Sequence, residues 1–359
     1  MSTEFDTRMM ARALQLARKG RYWASPNPHV GCVMVRDGVV IGEGFTQPAG
    51  GNHAEMEALA SAGDASGATA YVSLEPCSHT GKTGPCADAL IGAGVNRVVA
   101  AMEDPNPEVA GQGLAKMRGA GISTDVGVLE GEARTEIAGF VARMTRGRGR
   151  VRAKLAMSLD GRTAMASGES QWITGPAARS DVQKLRAESC AIVTGSGTVL
   201  ADDCALTVRS DQLGLDEPEL LRATGRPPLR VVLDSRLRVS AAAKVLAGEA
   251  PKLLVHDQAL AATQQYPPGV ALAGIEAVSS GLSLEAVMSA LTARHCNEIL
   301  VESGPRLVGA LLQAGLLDEL VVYMAPALLG DRARPLLSLP LDRMADKIPL
   351  QMADARRVG

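Results

Sequence analysis

The sequence predicts an α/β protein built as two layered domains in tandem. The chain has 359 residues, which at roughly 100–200 residues per domain suits two domains or one large α/β barrel. Strand-like and helix-like segments alternate up to about residue 128 and resume after residue 150, the pattern of layered α/β domains. Between the two runs lies a basic, Gly-broken stretch at 143–154, which reads as a linker. Apolar residues make up 46% of the chain and charged residues 21%, so a full core is available and wholesale disorder is excluded.

The elements follow in order. Asp6 and Thr7 are placed to cap a helix carrying Met9, Met10, Ala13, Leu14 and Ala17 on one face, stopped by Gly20. Apolar runs at 30–35 and 39–42 flank Arg36, Asp37 and Gly38, a hairpin signal. A helix at 53–62 ends at Gly63. A strand at 69–74 leads into a Gly/Pro-rich loop reaching Cys86. A helix at 86–91, a strand at 96–102, a helix at 111–121 and a strand at 122–128 complete the first run. In the second run, a strand at 151–157 precedes a helix at 176–188 with Pro176 in its first turn. Strands at 191–194, 229–234, 252–256 and 298–301 follow, with helices at 283–294 and 305–314. No short-period repeat or low-complexity tract is present.

Lys and Arg number 37 against 39 Asp and Glu, a formal charge of −2. That excludes a strongly basic footprint for duplex nucleic acid. Aromatic residues are 3% of the chain, too few for a stacking platform along a single strand. The first residues show no basic stretch followed by an apolar run, so no secretory signal is expected. No apolar run approaches the roughly 18 residues of a membrane span. A cytoplasmic protein with no nucleic-acid or membrane partner is expected. Its six cysteines, Cys32, Cys77, Cys86, Cys190, Cys204 and Cys296, are then free thiols, metal ligands or catalytic groups.

His53 and Glu55 stand at a helix start, Cys77 follows Pro76 after a strand, and Cys86 follows Pro85 before the next helix. A catalytic zinc needs three N/S protein ligands and an open position. His53, Cys77 and Cys86 meet that need. Glu55, two residues beyond the His, is expected to take a proton from water and pass it to a leaving amine. This is the H-x-E and two-Cys pattern of zinc deaminases, except that eight residues, 78–85, separate the cysteines. A purely structural zinc site is the competing reading and leaves Glu55 without a purpose. In the second half, Gly195 and Gly197 form a G-x-G with Leu200 at the third position, so a Rossmann domain is not expected. A second strand-to-helix turn runs from Glu302 to Gly309; amides at its helix start suit a pyrophosphate, but taken alone it reads as an ordinary strand–turn–helix.

Residues 25–33, 50–55, 75–86 and 104–107 in the first half, and 154–162, 168–174, 201–209 and 325–330 in the second, resemble the bifunctional riboflavin-biosynthesis deaminase–reductase family. The long gap between Cys77 and Cys86 is what sets that family apart from nucleoside and tRNA deaminases. The resemblance implies a cytidine-deaminase-like α/β/α domain at 1–146 and a dihydrofolate-reductase-like domain at 151–359. It implies zinc-dependent deamination of a phosphoribosylated diaminopyrimidinone, then NADPH-dependent reduction of the ribosyl group to ribityl. By the same resemblance Asn27, His79 and Lys82 contact the first substrate. Ala156, Trp172, Thr198, Asp202 and the turn Gly304, Pro305, Arg306, Leu307, Val308, Gly309 and Ala310 lie at NADPH. Ser170, Arg186, Leu206, Arg209 and Glu302 lie at the second substrate, with Arg186 and Arg209 suited to clamp a ribose phosphate. Ser235 and Arg236, just past the strand at 229–234, fit either an adenosine 2′-phosphate contact or a solvated strand end. Small phosphorylated pyrimidines are the expected partners, and a homo-oligomer is expected. Asn52, Cys204 and Ser303 depart from the family's usual Pro, Pro and Gly, and members commonly continue past residue 359 into one more short strand. Two other functions fit the same motifs: a nucleoside or RNA deaminase with a non-catalytic second half, and a zinc-binding regulator without turnover.

Overall fold

In the computed structural model, which describes residues 3–78, 84–107, 109–261, 264–279 and 281–359, the chain divides into two units. The first comprises Met1–Gly149 with His295–Asn297, the second Arg150–Arg294 with Glu298–Gly359.

The first unit opens with α1 (Glu4–Ala17). Thr3, not Asp6, is its N-cap, because Thr3 and Asp6 form a reciprocal capping box that draws Asp6 into the first turn. Strands β1 (Gly31–Arg36) and β2 (Val39–Phe45) form the expected hairpin. Asp37 and Gly38 carry its turn at φ 52° and 76°, the left-handed pair that matches strand twist. Then come α2 (Ala54–Ala62), β3 (Thr69–Val72), α3 (Cys86–Gly92), β4 (Arg97–Ala100), α4 (Gln112–Gly119) and β5 (Ser123–Val126). Two helices not expected from sequence, α5 (Glu130–Glu136) and α6 (Ala138–Arg146), close the unit. The sheet order is β2-β1-β3-β4-β5, with β1 antiparallel to both neighbours and β3, β4 and β5 parallel. Met10, Met34, Leu90, Met102, Leu114 and Met117 are fully buried in this core, each contributing about 1.5–3 kcal/mol by burial. A Cβ on Gly44 would lie 2.2 Å from the Ala54 carbonyl. Only glycine there lets the start of α2, and with it His53 and Glu55, lie directly on the sheet.

The second unit begins with β6 (Arg150–Ser158), β7 (Arg162–Ala164), α7 (Pro176–Glu188), β8 (Ala191–Gly195), α8 (Ser196–Asp202), α9 (Glu217–Gly225), β9 (Leu229–Leu233) and β10 (Lys252–Asp257). It continues with β11 (Val270–Ile275), β12 (Ala277–Val278), β13 (Gly281–Leu282), α10 (Leu284–Thr292), β14 (Glu298–Val301), α11 (Pro305–Gln313), β15 (Glu319–Ala325) and β16 (Arg334–Pro335). Its main sheet is seven-stranded and parallel, in the order β11-β10-β9-β8-β14-β6-β15. From β8 the chain moves outward to β9, whereas from β14 it crosses β6 to reach β15. The carboxyl ends of β8 and β14 therefore form a topological switch point, where open parallel sheets bind ligands.

The stretch at 143–154 is mostly regular structure. Helix α6 runs to Arg146 and β6 starts at Arg150. Arg150 and Arg152 are strand residues paired with Glu298, and Arg152 also with Glu188. Their carboxylate partners lie more than thirty positions away in sequence, so the run looks like a solvated linker when read alone. Among the described residues, no helix is long and apolar enough to cross a membrane.

Candidate active sites

His53 is the N-cap of α2, extended at φ −77° and ψ 166°, and its side chain makes no cap bond. The imidazole is thereby free to face Cys77, in the loop after β3, and Cys86, the first residue of α3. His53 Nδ1 lies 3.7 Å from Cys77 Sγ and 3.4 Å from Cys86 Sγ, and all three ligand atoms fall within 4.8 Å of one another. Zinc–sulfur bonds of about 2.3 Å and zinc–nitrogen bonds of about 2.0–2.1 Å place tetrahedral N and S ligands ~3.6 Å apart. The triangle fits zinc. The Cys86 amide at the start of α3 donates to Cys77 Sγ at 3.4 Å. Hydrogen bonding from Cys86, and also from His53, holds the Cys77 thiol low. Hydrogen bonding to Cys77 in turn raises His53.

Glu55 occupies the first turn of α2 and is only 4% exposed. Burial pushes its carboxyl up to about 7, with Cys77 adding to the rise and His53 opposing it. The group is thus placed beside the ligands without being one of them. His53, Glu55 and Cys77 line a cavity of about 440 Å³ together with Asn27, Asp104 and Asn106. Arg143 lines it too and donates to the carbonyl of Pro26, next to Asn27. Arg143 carries no sequence signal of its own, because it opens a basic, Gly-broken run that has the composition of a linker. His79 and Lys82 lie outside the described residues.

In the second unit, β6 carries Lys154, Ala156 and Ser158 on one face by its period of two. Arg186 of α7 forks onto Glu302 at the end of β14, Nε to Oε1 at 2.6 Å and Nη2 to Oε2 at 2.9 Å, and Nη1 donates to the Thr207 carbonyl. The expected phosphate clamp is therefore engaged with a carboxylate in this structure. Burial alone would raise Glu302, but Arg186 and then Lys154 outweigh it and hold the carboxyl below its usual value. Burial lowers Lys154. Lys154 was not singled out from sequence, since a lysine inside a basic run carries no pattern. Arg209 is exposed, and its guanidinium has no hydrogen-bond or ion-pair partner among the described residues. Ser170 lies partly exposed ahead of α7. Leu206 is 4% exposed and sits in the core at φ 51°.

The turns after β8 and β14 stand side by side. Ser303 Oγ accepts from the Gly195 amide at 3.3 Å and meets Thr198 Oγ1 at 3.3 Å, a link that glycine at 303 could not make. Gly304 is the N-cap of α11 and leaves its first turn without a side-chain cap. A Cβ on Gly197 or Gly304 would meet nothing within 4 Å. Open main chain and free helix-start amides fit a dinucleotide pyrophosphate. Pro305, Arg306 and Leu307 border that space, and Ala310 lies partly exposed one turn on. Val308 and Gly309 instead turn inward. Val308 is fully buried, and a Cβ on Gly309 would lie 2.2 Å from the Ser338 carbonyl. Asp202 is exposed at the last turn of α8. Ser235 follows β9, where the fully buried Asp234 bonds the Val239 amide and shapes the turn. Trp172 is 70% exposed, with the Arg179 guanidinium 4.6 Å from its ring centre.

Residues 3–102 match the cytidine and deoxycytidylate deaminase zinc-binding region, and residues 150–358 match the RibD C-terminal domain. The riboflavin biosynthesis protein RibD of Escherichia coli (strain K12) is 50% identical over 357 residues, covering 99% of this chain and 97% of that protein. A solved structure of Acinetobacter baumannii RibD superposes with a TM-score of 0.88 at 42% identity, covering 99% of this chain and 96% of that one. A Thermotoga maritima structure, described as a diaminohydroxyphosphoribosylaminopyrimidine deaminase/5-amino-6-(5-phosphoribosylamino)uracil reductase, has a TM-score of 0.83 at 33% identity and covers 98% and 96%. Fold, site and matches together define a bifunctional enzyme, with a cytidine-deaminase-like domain followed by a dihydrofolate-reductase-like one. The chain belongs to the RibD family of riboflavin-biosynthesis proteins.

Proposed function

We propose that residues 1–146 hydrolyse the exocyclic amine of 2,5-diamino-6-ribosylamino-4(3H)-pyrimidinone 5′-phosphate. Residues 151–359 then reduce the ribosyl group of 5-amino-6-(5-phosphoribosylamino)uracil to ribityl. The observation that carries this reading is the His53–Cys77–Cys86 triangle with the sealed Glu55 carboxyl beside it, opening on one cavity.

His53 Nδ1, Cys77 Sγ and Cys86 Sγ hold zinc. Zinc bound there supplies a Lewis acid that makes water a nucleophile near neutral pH. Glu55 takes the proton from the attacking water and returns it to the departing amine, so water oxygen replaces nitrogen and ammonia leaves. Asn27, with His79 and Lys82, orients the pyrimidine and its phosphate.

In the second unit NADPH supplies the hydride. The amides of Gly304, Arg306 and Leu307, with Pro305 beside them in the turn and Thr198, Ala156, Trp172, Asp202 and Ser235, orient that cofactor. Arg209 is the exposed cation for the substrate phosphate, and Ser170 and Leu206 are further substrate contacts. Arg186 fixes Glu302 so that its carboxylate accepts from a ribose hydroxyl or pyrimidine amine. Lys154 on β6 lies within the electrostatic reach of Glu302 and Arg186. The working form is a homo-oligomer, a reading supported by the edge strand β15, whose Met324 is exposed.

The test is mass spectrometry of the diaminopyrimidinone ribosyl phosphate after incubation with zinc-loaded protein, with and without NADPH. Amine-to-oxygen exchange without NADPH, and two added hydrogens only with it, are expected. Deamination of tRNA or a free nucleoside instead, or zinc binding without any turnover, would replace this reading.

A further inference from the structure

Glu75 lies at the end of the segment that leads from β3 to Cys77, and it is 3% exposed. Its two carboxylate oxygens each accept two main-chain amides. Oε2 takes Asp104 N at 3.1 Å and Gly111 N at 2.9 Å. Oε1 takes Gly113 N at 2.9 Å and Leu114 N at 3.1 Å. Gly111 is the N-cap of α4 and has no side chain to offer. Glu75 therefore caps α4 from another element while also gripping the residue that follows β4 by four positions. A Cβ on Gly113 would lie 2.0 Å from the Pro76 carbonyl, so α4 is pressed onto the peptide that precedes Cys77. The segment so clamped carries Asp104, Asn106 and Val109, which line the cavity beside the zinc ligands, and Asp104 Oδ1 itself accepts from Asn106 N at 2.8 Å.

We propose that Glu75 is a positioning residue of the deaminase: its carboxylate fixes the Asp104–Asn106 wall of the substrate cavity relative to Cys77. The inference rests on the deaminase reading above. Four main-chain hydrogen bonds on one buried side chain make a rigid joint between ligand loop and cavity wall. A cap acting only on stability would leave substrate affinity unmoved, and that contrast supplies the test.

The full chain is assayed as Glu75→Gln and, separately, Gly113→Ala. Glutamine keeps one acceptor oxygen and turns an NH₂ toward two N–H donors. Zinc content, deaminase KM and kcat, and reduction of supplied deaminated substrate are measured on each. The expected result is a deaminase KM raised about tenfold or more, kcat within about threefold, zinc retained and reduction unchanged. Gly113→Ala should give the same split, because a Cβ there meets the Pro76 carbonyl at 2.0 Å and Glu75 Oε1 at 3.2 Å and so shifts the wall against the ligand loop. An unmoved KM in Glu75→Gln, or loss of zinc with kcat falling at constant KM, overturns the proposal and leaves Glu75 a stabilising cap. A wild-type chain that holds zinc and does not deaminate removes the functional reading, and this inference with it.

Discussion

Replacing Glu55 by Gln keeps the volume of the side chain and removes its ability to carry a proton. Because Glu55 is only 4% exposed, bulk water cannot take over the transfer. A positioned general acid–base group contributes typically 10²- to 10⁴-fold, so deamination should fall by that factor, about 3–5 kcal/mol on the barrier. Zinc content should not change, since His53, Cys77 and Cys86, the residues proposed to hold it, are untouched. Stability should hold or rise, because an amide is cheaper to bury than a carboxylate. Cys86→Ser is the contrast, and it should lose zinc and deamination together. Ammonia release from the diamino substrate reports the first activity, and NADPH oxidation with supplied deaminated substrate reports the second. Glu55→Gln retaining more than about a tenth of deamination would refute the proton-carrier assignment. Loss of both activities would refute the separation into two sites.

Arg186→Met removes the fork on Glu302, whose side chain is 11% exposed. Breaking a buried pair costs about 3–5 kcal/mol, so thermal loss of reductase activity should shift to lower temperature while deamination persists; unchanged melting would show the pair to be inert. Asp6 is held well below the usual carboxylate range by Arg97, against the effect of burial and with help from Tyr71 and Thr3. A depressed folded value means its stabilisation is complete above the unfolded value near ~4 and is lost as pH falls toward the lower folded one. Asp6→Asn should therefore flatten the acid sensitivity of the first unit below about pH 4, followed by Trp23 fluorescence in a Trp172→Phe background. An unchanged acid transition would discount this pair.

Periodicity and punctuation made most of the frame legible. Pro176 marked α7 and Gly63 the end of α2, and Asp37 with Gly38 marked the hairpin, because each acts through local backbone geometry. What escaped was set by tertiary partners. Arg150 and Arg152 read as linker until Glu298 is placed beside them. β15 was missed because its residues lie partly exposed on a sheet edge and show no clean alternation. The zinc triangle was legible because motif and helix starts coincide. Lys154 and Glu75 were not, since their meaning depends on amides and charges brought in from distant segments. Arg186 was expected at a phosphate and is found holding Glu302, a choice between two anions that spacing alone cannot make.

The most direct test of the two-site account is a single incubation in ¹⁸O-water with NADPH carrying deuterium at the reactive nicotinamide carbon. The account predicts a product with one ¹⁸O on the pyrimidine and one deuterium on the ribityl chain. It also predicts that Glu55→Gln gives neither label from the diamino substrate yet still transfers deuterium to supplied deaminated substrate. Deuterium appearing in a product that keeps its amine nitrogen would contradict the proposed order of steps. Absence of ¹⁸O from a deaminated product would contradict hydrolysis at the His53–Cys77–Cys86 site.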